Sequence, residues 1–441
     1  MKKIFTIASM ALALAANAQV TPSWTTQNSN FPDTSTYPFV MNSKGENVVW
    51  AFGADGSGGG ADYRVYTKTS DGGATWIGGQ MTGVPVGVAV MDIAAGDANT
   101  AWISGYDDGA GVQGVWKTIN GGTTWTRQAT AAYNSATSFT NIVYFWDLNA
   151  GVTMGDPATT GRLEVYTTTD GGTTWVKQTG APAQSGEYGY VHNRAVAGNT
   201  IWAGSNFGRI FRSNDKGVTW LDTISSPVSD FGGEGESAEI ALKDASNAWV
   251  LSIFGILYKT TDAGATFDAV DAQSGTMYPT SLAYVPGTDQ TLLTGAASTT
   301  YGRGSSISFD GGANWTEIAN SYVDAGITSF AASSTTAIWG GSFNNGSTGG
   351  VNKLSPIALA TSEANVVKGL SIAPNPTYGD LNISTVLNVK AVEILDMNGR
   401  LIKTFGADSK KLDLSSLKVG VYAVKVTTVD GKSQITKFIK K

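Results

Sequence analysis

The sequence predicts an all-β chain in which a seven-bladed β-propeller is followed by a small β-sandwich. Three observations lead to this prediction. One eight-residue phrase occurs six times, at intervals of 45 to 50 residues. The intervals contain short strand-like runs separated by Gly, Asp and Asn, four of them in the clearest unit, and this pattern is typical of propeller blades. After residue 368 the chain changes to alternating strands that lack the phrase.

The first 18 residues have the features of an export signal. Lys2 and Lys3 precede an apolar stretch from Ile4 to Ala15, and Ala16-Asn17-Ala18 forms a small-residue cleavage site. The apolar stretch is too short to span a bilayer comfortably. We therefore expect cleavage before Gln19 and an exported chain without a membrane span. The sequence has no cysteine, which excludes disulfides and thiolate metal sites.

Charge is distributed unevenly along the chain. Residues 19–368 carry 16 Lys/Arg and 29 Asp/Glu, a net charge of −13, whereas residues 369–441 carry 11 and 6, a net charge of +5. Nucleic-acid binding requires a basic surface, so we expect no nucleic-acid partner for the acidic propeller. With one histidine and no cysteine, a zinc site is not expected either. We expect a monomer without a metal or cofactor.

The repeated phrase has the form Ser/Thr-x-Asp-x-Gly-x-Thr-Trp, and we call each copy a box. The third-position oxygen is expected to accept a hydrogen bond from a backbone N–H two residues on, and the fifth-position Gly permits positive φ. The final ring is expected to pack against the next blade. Each box should therefore be a structural turn between the third and fourth strands of its blade. The residues given this role are Asp71, Asn120, Asp170, Asp215, Asp262 and Asp310 at the third position, and Trp76, Trp125, Trp175, Trp220, Phe267 and Trp315 at the eighth.

The last blade takes strands from both ends of the propeller. Runs at 327–333, 336–343 and 350–355 supply three strands without a box, and Ser23–Gln27 is similar to the fourth strand of other blades. We predict that this N-terminal strand completes the seventh blade, which would remove exposed strand edges and close a propeller over residues 19–356. Six blades with an additional N-terminal strand is the alternative.

The box pattern resembles the Asp-box, or BNR, repeat of sialidases and related propellers. In that family the boxes lie at the blade periphery, away from the catalytic centre. Tryptophans on the second strands resemble those of photosystem-assembly-factor and sortilin-like propellers, which bind proteins; they are Trp102, Trp202, Trp249 and Trp339. The resemblance implies either a module that binds protein or glycan, or a glycoside hydrolase of sialidase or xyloglucanase type.

The hydrolase alternative requires specific side chains. Sialidases carry an Arg triad whose first member lies in an Arg-Ile-Pro motif, but this chain has only Arg209-Ile210-Phe211, on a third strand. Other glycosidases need two carboxylates at a suitable separation. The loops that join fourth to first strands and second to third strands should share one face. The candidate catalytic acids on them are Asp107, Asp156, Glu187, Asp230, Glu234 and Glu236. The alternative is that these acids are merely solvated.

Aromatic and basic residues occur on and beside the same loops. Such a mixture suits the binding of a sugar or a peptide. The candidate ligand-binding residues are Tyr188, Tyr190, His192, Arg194, Arg209 and Phe231. His192, the single histidine, has two interpretations: a general base or a packed structural residue.

Residues 357–368 form a small-residue linker, and residues 369–441 are predicted to form the β-sandwich. Four blocks in order, Pro374-Asn375-Pro376, 396–400, 417–422 and 437–441, resemble the type A sorting domain of the type IX secretion system. The resemblance implies a Bacteroidetes protein whose residues 369–441 engage the type IX secretion machinery. The chain would then be secreted or held at the outer-membrane surface. An ordinary accessory β-domain is the alternative.

Overall fold

The structure is a computed structural model. It describes residues 22–441 except 60–62, 132, 159–160, 222, 234, 321–325, 346–347, 358–369, 386–388, 397–399, 408 and 430–432. The signal segment and Glu234 therefore lie outside the described residues. The chain divides into two compact units, Met1–Ala358 and Leu359–Lys441. No helix in the described part of the chain has the length and apolar character needed to cross a membrane.

Seven sheets, each with four antiparallel strands side by side, make up the first unit in the described residues, and the predicted seven-bladed propeller is confirmed. Each blade runs from an inner first strand to an outer fourth strand. Blade 1 contains β2 (Thr36–Lys44), β3 (Val48–Asp55), β4 (Val65–Thr69) and β5 (Ile77–Gln80). Blade 2 contains β6 (Val88–Ala95), β7 (Ala101–Asp107), β8 (Gly114–Thr118) and β9 (Thr126–Arg127). Blade 3 contains β10 (Thr140–Phe145), β11 (Gly151–Gly155), β12 (Arg162–Thr168) and β13 (Val176–Pro182).

The next three blades repeat the same order. Blade 4 contains β14 (Gly189–Ala197), β15 (Thr200–Ser205), β16 (Arg209–Ser213) and β17 (Ile224–Ser225). Blade 5 contains β18 (Ala238–Leu242), β19 (Ala248–Ser252), β20 (Leu257–Thr260) and β21 (Asp268–Ala269). Blade 6 contains β22 (Ser281–Tyr284), β23 (Leu292–Ser298), β24 (Gly302–Ser308) and β25 (Thr316–Glu317).

Blade 7 is built from both ends of the unit. It contains β27 (Phe330–Ser334), β28 (Ala337–Asn345), β29 (Thr348–Leu354) and β1 (Ser23–Asn28), with β26 (Ala319–Asn320) at its outer edge. Strand β1 pairs antiparallel with β29, Trp24 opposite Leu354. The Trp24 ring is buried, and its Nε1 donates to Ser305 Oγ of blade 6 at 2.7 Å. The first strand of the chain thus ties the last blade to its neighbour.

The core lies between neighbouring blades. The second strands place large rings there because their side chains alternate between the two faces of each sheet and both faces are covered. The fully buried second-strand tryptophans are Trp50, Trp102, Trp202, Trp249 and Trp339. Their burial accounts for the regular Trp spacing in the sequence.

The second unit is a β-sandwich, as predicted. Its three-stranded sheet contains β30 (Leu370–Ala373), β31 (Asp380–Thr385) and β34 (Lys411–Asp413). Its four-stranded sheet contains β32 (Val389–Leu395), β33 (Leu401–Phe405), β35 (Gly420–Thr428) and β36 (Ser433–Lys440). Apolar side chains from both sheets, among them Leu381, Ile394, Val424 and Phe438, form one core.

Candidate functional site

The boxes close their turns by a different hydrogen-bond pattern from the expected one. In blade 4, Asp215 accepts from the backbone N–H of Thr219 at 2.8 Å and from its hydroxyl at 2.6 Å, so the partner lies four residues on, not two. The Ser213 hydroxyl donates to Asp215 and accepts from the Gly217 N–H, both at 2.8 Å. The same four-residue bond recurs at Asp71, Asn120, Asp170, Asp262 and Asp310. The box oxygens are engaged within their own turns.

The box rings pack against the preceding blade, so the expected contact with the next blade is wrong. Trp125 of blade 2 lies 6.0 Å from Trp50 and 6.1 Å from Tyr66 of blade 1, between ring centroids. Trp102 of blade 2 donates its Nε1–H to the carbonyl of Gly171 in the box of blade 3, at 3.1 Å. The turn between the third and fourth strands of a blade therefore lies against the preceding blade. Each box therefore links its blade to its predecessor.

A channel lies where the first strands of the blades meet. These inner strands contact one another around the ring, and a cavity of about 280 Å³ lies among β2, β10, β14, β18, β22 and β27. The ionisable residues that line it are Tyr144, His192, Arg194 and Glu239. Apolar residues such as Phe39, Val196, Leu282 and Phe330 form part of its wall. We treat this channel as the candidate functional site.

Arg194 is held within the channel by a carboxylate from another blade. Its Nε and Nη2 donate to the two oxygens of Asp92, at 2.6 and 2.9 Å, and Asp92 is fully buried on β6. The guanidinium lies over the Tyr144 ring, 5.2 Å from its centroid. Asp92 also accepts the backbone N–H groups of Ile93 and Val143. This bidentate pair joins blades 2 and 4 and neutralises the arginine charge.

His192 is directed into the channel by an irregular stretch of β14. The pairing of β14 with β15 shifts between Gly189 and Arg194, and His192 has φ of 48°, which is uncommon for a residue with a Cβ. Its ring meets Phe39 edge to face at 4.6 Å. Burial, together with the nearby Arg194 charge, lowers the pKa of His192 to about 4. Its imidazole is therefore neutral at physiological pH.

Glu239 faces the channel from β18 of blade 5, and it was not among the predicted site residues. The residue is half-buried and lines the cavity, and its carboxyl makes no hydrogen bond or ion pair with any residue that the structure describes. Burial raises the pKa of this carboxyl to about 7. The sequence carried a signal for both missed acids: Asp92 and Glu239 are single charges within otherwise apolar inner strands.

Three of the predicted catalytic acids bond within their own loops. Asp107 accepts the N–H groups of Gly109 and Gly111, and Asp230 accepts those of Gly232 and Gly233. Glu236 accepts from the backbone N–H and hydroxyl of Ser229, at 2.9 and 2.5 Å. These carboxylates therefore accept hydrogen bonds from their own loops. Glu234, the fourth acid of this group of loops, lies outside the described residues.

Glu187, predicted as a catalytic acid, and Arg209, predicted as a ligand-binding residue, form an ion pair with each other. Arg209 Nη1 donates to Glu187 Oε2 at 2.5 Å, and the hydroxyl of Ser205 donates to Oε1 at 2.8 Å. Arg209 also donates to the Thr223 hydroxyl. The pair ties the loop before β14 to the strands of the same blade. Both charges are therefore used to hold blade 4 together.

Phe231 is also a core residue, not a ligand contact. It is 2% exposed, and its ring packs against Gly204 so closely that a Cβ there would lie 2.3 Å from it. Tyr188 remains exposed and meets Tyr190 edge to face at 5.5 Å. Burial and the neighbouring Asp230 raise the pKa of Tyr190. Of this aromatic group, Tyr188 is the residue best placed to meet a ligand.

Asp156 differs from the other loop acids. It is half-buried, accepts from Asn141 Nδ2 at 2.6 Å and from the Gly189 N–H at 3.1 Å, and burial raises its pKa to about 6. Its polar partners are an amide and a backbone group, not a second carboxylate. Among the described residues, no group of three His, Cys, Asp or Glu side chains could hold a metal ion.

Sequence reasoning also missed a regular feature of the face that carries the turns between second and third strands. In four successive blades an aromatic side chain is exposed, between 39% and 64% of its surface, in this turn (Phe207, Phe254 and Tyr301) or near the end of the second strand beside it (Phe343). Phe343 contacts Tyr37 at 5.1 Å, Tyr37 contacts Phe39 at 6.1 Å, and Phe39 contacts His192. A line of rings therefore runs from the exposed turn into the channel.

Comparison with known proteins supports the two-part architecture. Residues 371–441 match the family of secretion system C-terminal sorting domains. This domain directs export through the type IX system to the cell surface or the extracellular space. A search of curated proteins found no match to the chain.

Solved structures with the same fold include two propellers. A YCF48 protein bound to a D1 peptide has a TM-score of 0.50 at 15% identity, covering 75% of this chain and 95% of the other. YCF48 from Cyanidioschyzon merolae has a TM-score of 0.54 at 17% identity, covering 75% and 98%. At these identities the likeness shows the propeller fold alone. The two parts together define an exported β-propeller with a C-terminal sorting domain.

Proposed function

We propose that the propeller is a binding module for an extracellular protein or glycan, with its site at the mouth of the channel. The observation that carries this proposal is the row of exposed aromatic side chains on or beside the turns between second and third strands. Exposed apolar groups gathered on one face of an exported protein are typical of interaction sites. Aromatic rings in particular offer large contact areas to sugars and peptides.

The state of the acids supports binding over hydrolysis. A glycosidase needs one carboxylic acid to donate a proton and a second carboxylate as base or nucleophile. Asp107, Asp230 and Glu236 bond to their own turns, and Glu187 bonds to Arg209. A propeller of this fold can hold a peptide, since one structural neighbour was solved with a D1 peptide bound.

The proposal is tested by a glycan array and by pull-down from the native cell surface. A double variant, Phe207→Ser with Phe254→Ser, should lose the ligand that the wild-type chain retains. Ile119→Ser is the matched control, because Ile119 is 70% exposed but lies in a box on the opposite face. Failure of the wild-type chain to retain any ligand in both assays would overturn the proposal, as would equal retention by the double variant.

Asp156 supports a glycoside hydrolase as the second candidate. A pKa raised to about 6 would keep a fraction of this carboxyl protonated near neutral pH, which a general acid requires. The test is hydrolysis of xyloglucan and sialosides by the wild-type chain and by Asp156→Asn. Activity that the substitution abolishes would establish this alternative, and absence of activity on both substrates would exclude these two substrate classes.

A further inference from the structure

Among the described residues of the channel wall, one carboxyl group, that of Glu239, is not paired within the protein. Of the ionisable residues of the wall, Arg194 is neutralised by Asp92, and His192 and Tyr144 are neutral at physiological pH. Glu239 has no partner among the described residues. A carboxylate that is half-buried and left without a partner is unfavourable, and a ligand that supplies a donor or a positive charge would relieve this.

We infer that the channel is a binding site for a primary alkylammonium group, specifically a lysine side chain inserted by a protein partner, with Glu239 as its counter-ion. This inference rests on the proposed binding function and specifies the ligand of that site. In this site the carboxylate receives the ammonium group. The wall, which is mostly polar, also includes the apolar residues Val196, Leu282 and Phe330, which can contact the methylene stem.

The size of the cavity favours a single side chain. Its volume of about 280 Å³ is at or below the lower limit of ordinary ligand pockets, which run from about 300 to 1,000 Å³. This volume suits one extended side chain better than a polysaccharide chain.

The net charge of the propeller also favours a cationic ligand. Residues 19–368 carry a net charge of −13, which attracts cationic partners toward the surface. The exposed rings around the mouth would then contact the body of the partner, and the lysine would occupy the channel. The anchor is a buried charge pair at the centre of an aromatic contact region, an arrangement that concentrates binding energy at few residues.

The experiment uses the full chain and three small probes, followed by NMR titration: N-acetyl-lysine methylamide, its uncharged isostere N-acetyl-norleucine methylamide, and glucosamine. The lysine derivative should bind and the other two should not. Glu239→Gln should weaken lysine-probe binding at least about tenfold, since the ammonium group loses its counter-charge and keeps only a neutral acceptor. Asp108→Asn, which removes the same charge from an exposed turn, should leave binding unchanged.

Each contrary result would overturn the inference. These results are equal binding of the norleucine derivative, preference for glucosamine, no binding of the lysine derivative, or unaltered binding by Glu239→Gln. Glu239→Asp, which retains the charge on a shorter side chain, guards against misfolding of the Gln variant and should weaken binding less. If the lysine probe fails while ligand retention still depends on Phe207 and Phe254, the inference falls and the proposed binding function stands.

Discussion

Replacing Glu239 with Gln should stabilise the propeller at alkaline pH, relative to the wild-type chain, and do so much less in acid. In the folded protein the pKa of this carboxyl is raised from 4.5 to about 7 by burial. The unfolded chain therefore releases the proton first as pH rises. Because the unfolded state is ionised between these two values and the folded state is not, the wild-type chain loses stability as pH rises through this window. Glutamine does not ionise, so the Glu239→Gln chain does not lose this stability.

The magnitude follows from the shift. The difference between 4.5 and about 7 corresponds to roughly 3 kcal/mol at about 1.36 kcal/mol for each pKa unit. The stability difference between Glu239→Gln and wild type should thus grow by about 3 kcal/mol from pH 4 to pH 8.5. All 13 tryptophans lie between residues 24 and 339, so their fluorescence follows unfolding of the propeller and not of the sorting domain.

The assay is urea unfolding of both proteins at several pH values, with the fluorescence midpoint and slope recorded at each. Comparing the two chains at every pH removes the contribution of all other titrating groups. Asp108→Asn serves as the control for the change in net charge. If the curves for Glu239→Gln and wild type stay parallel from pH 4 to pH 8.5, Glu239 is not buried in the way described, and the channel argument fails with it.

Three further predictions address the boxes, the histidine and the sorting domain. Asp215→Ala should lower the free energy of unfolding by about 1–2 kcal/mol, because it removes the acceptor for Thr219. Asp215→Asn should lower it less, since Asn120 makes the same turn in blade 2. Denaturant unfolding measures both variants, and equal losses would contradict the role given to this hydrogen bond. The pKa of His192 is lowered from 6.5 to about 4, so the wild-type chain should lose up to about 3 kcal/mol of stability as pH falls through this range. His192→Asn should not show this loss. If the stability of the variant depends on acid pH as the wild type does, His192 is not the group responsible. Deleting residues 369–441 should leave the propeller in the periplasm, as cell fractionation would show, and continued secretion would count against the export role of this domain.

The sequence predicted the architecture well because the signals are periodic and local. Box spacing gave the blades, and the likeness of Ser23–Gln27 to other outer strands suggested the pairing that β1 makes with β29. The contacts of the box were predicted less well. The Asp bonds four residues on, and the ring faces the preceding blade, because turn geometry and sheet twist are not encoded in residue spacing.

The channel was harder to predict for a different reason. Its residues come from strands of different blades, and Asp92 and Arg194 are 102 positions apart. The sequence identified Arg194 and His192 only through their neighbouring aromatic residues. It also made Phe231 a candidate ligand-binding residue and Glu187 a candidate catalytic acid, although both are buried in structural contacts. Which side chains converge at the axis depends on strand register, including the irregular pairing before Arg194.

Asp92 and Glu239 show why partner geometry matters more than residue type. Both are acids on inner strands, yet Asp92 receives two N–H groups from Arg194 and two from the backbone, so its charge serves to join blades. Glu239 receives none from the described residues and destabilises the fold once it ionises. An apolar side chain would fill that position at less cost to stability. An acid that lies on an inner strand without a hydrogen-bond or ion-pair partner within the protein is best explained by a partner outside it. Glu239, more than any loop acid, is therefore the residue at which the function of the propeller should be tested.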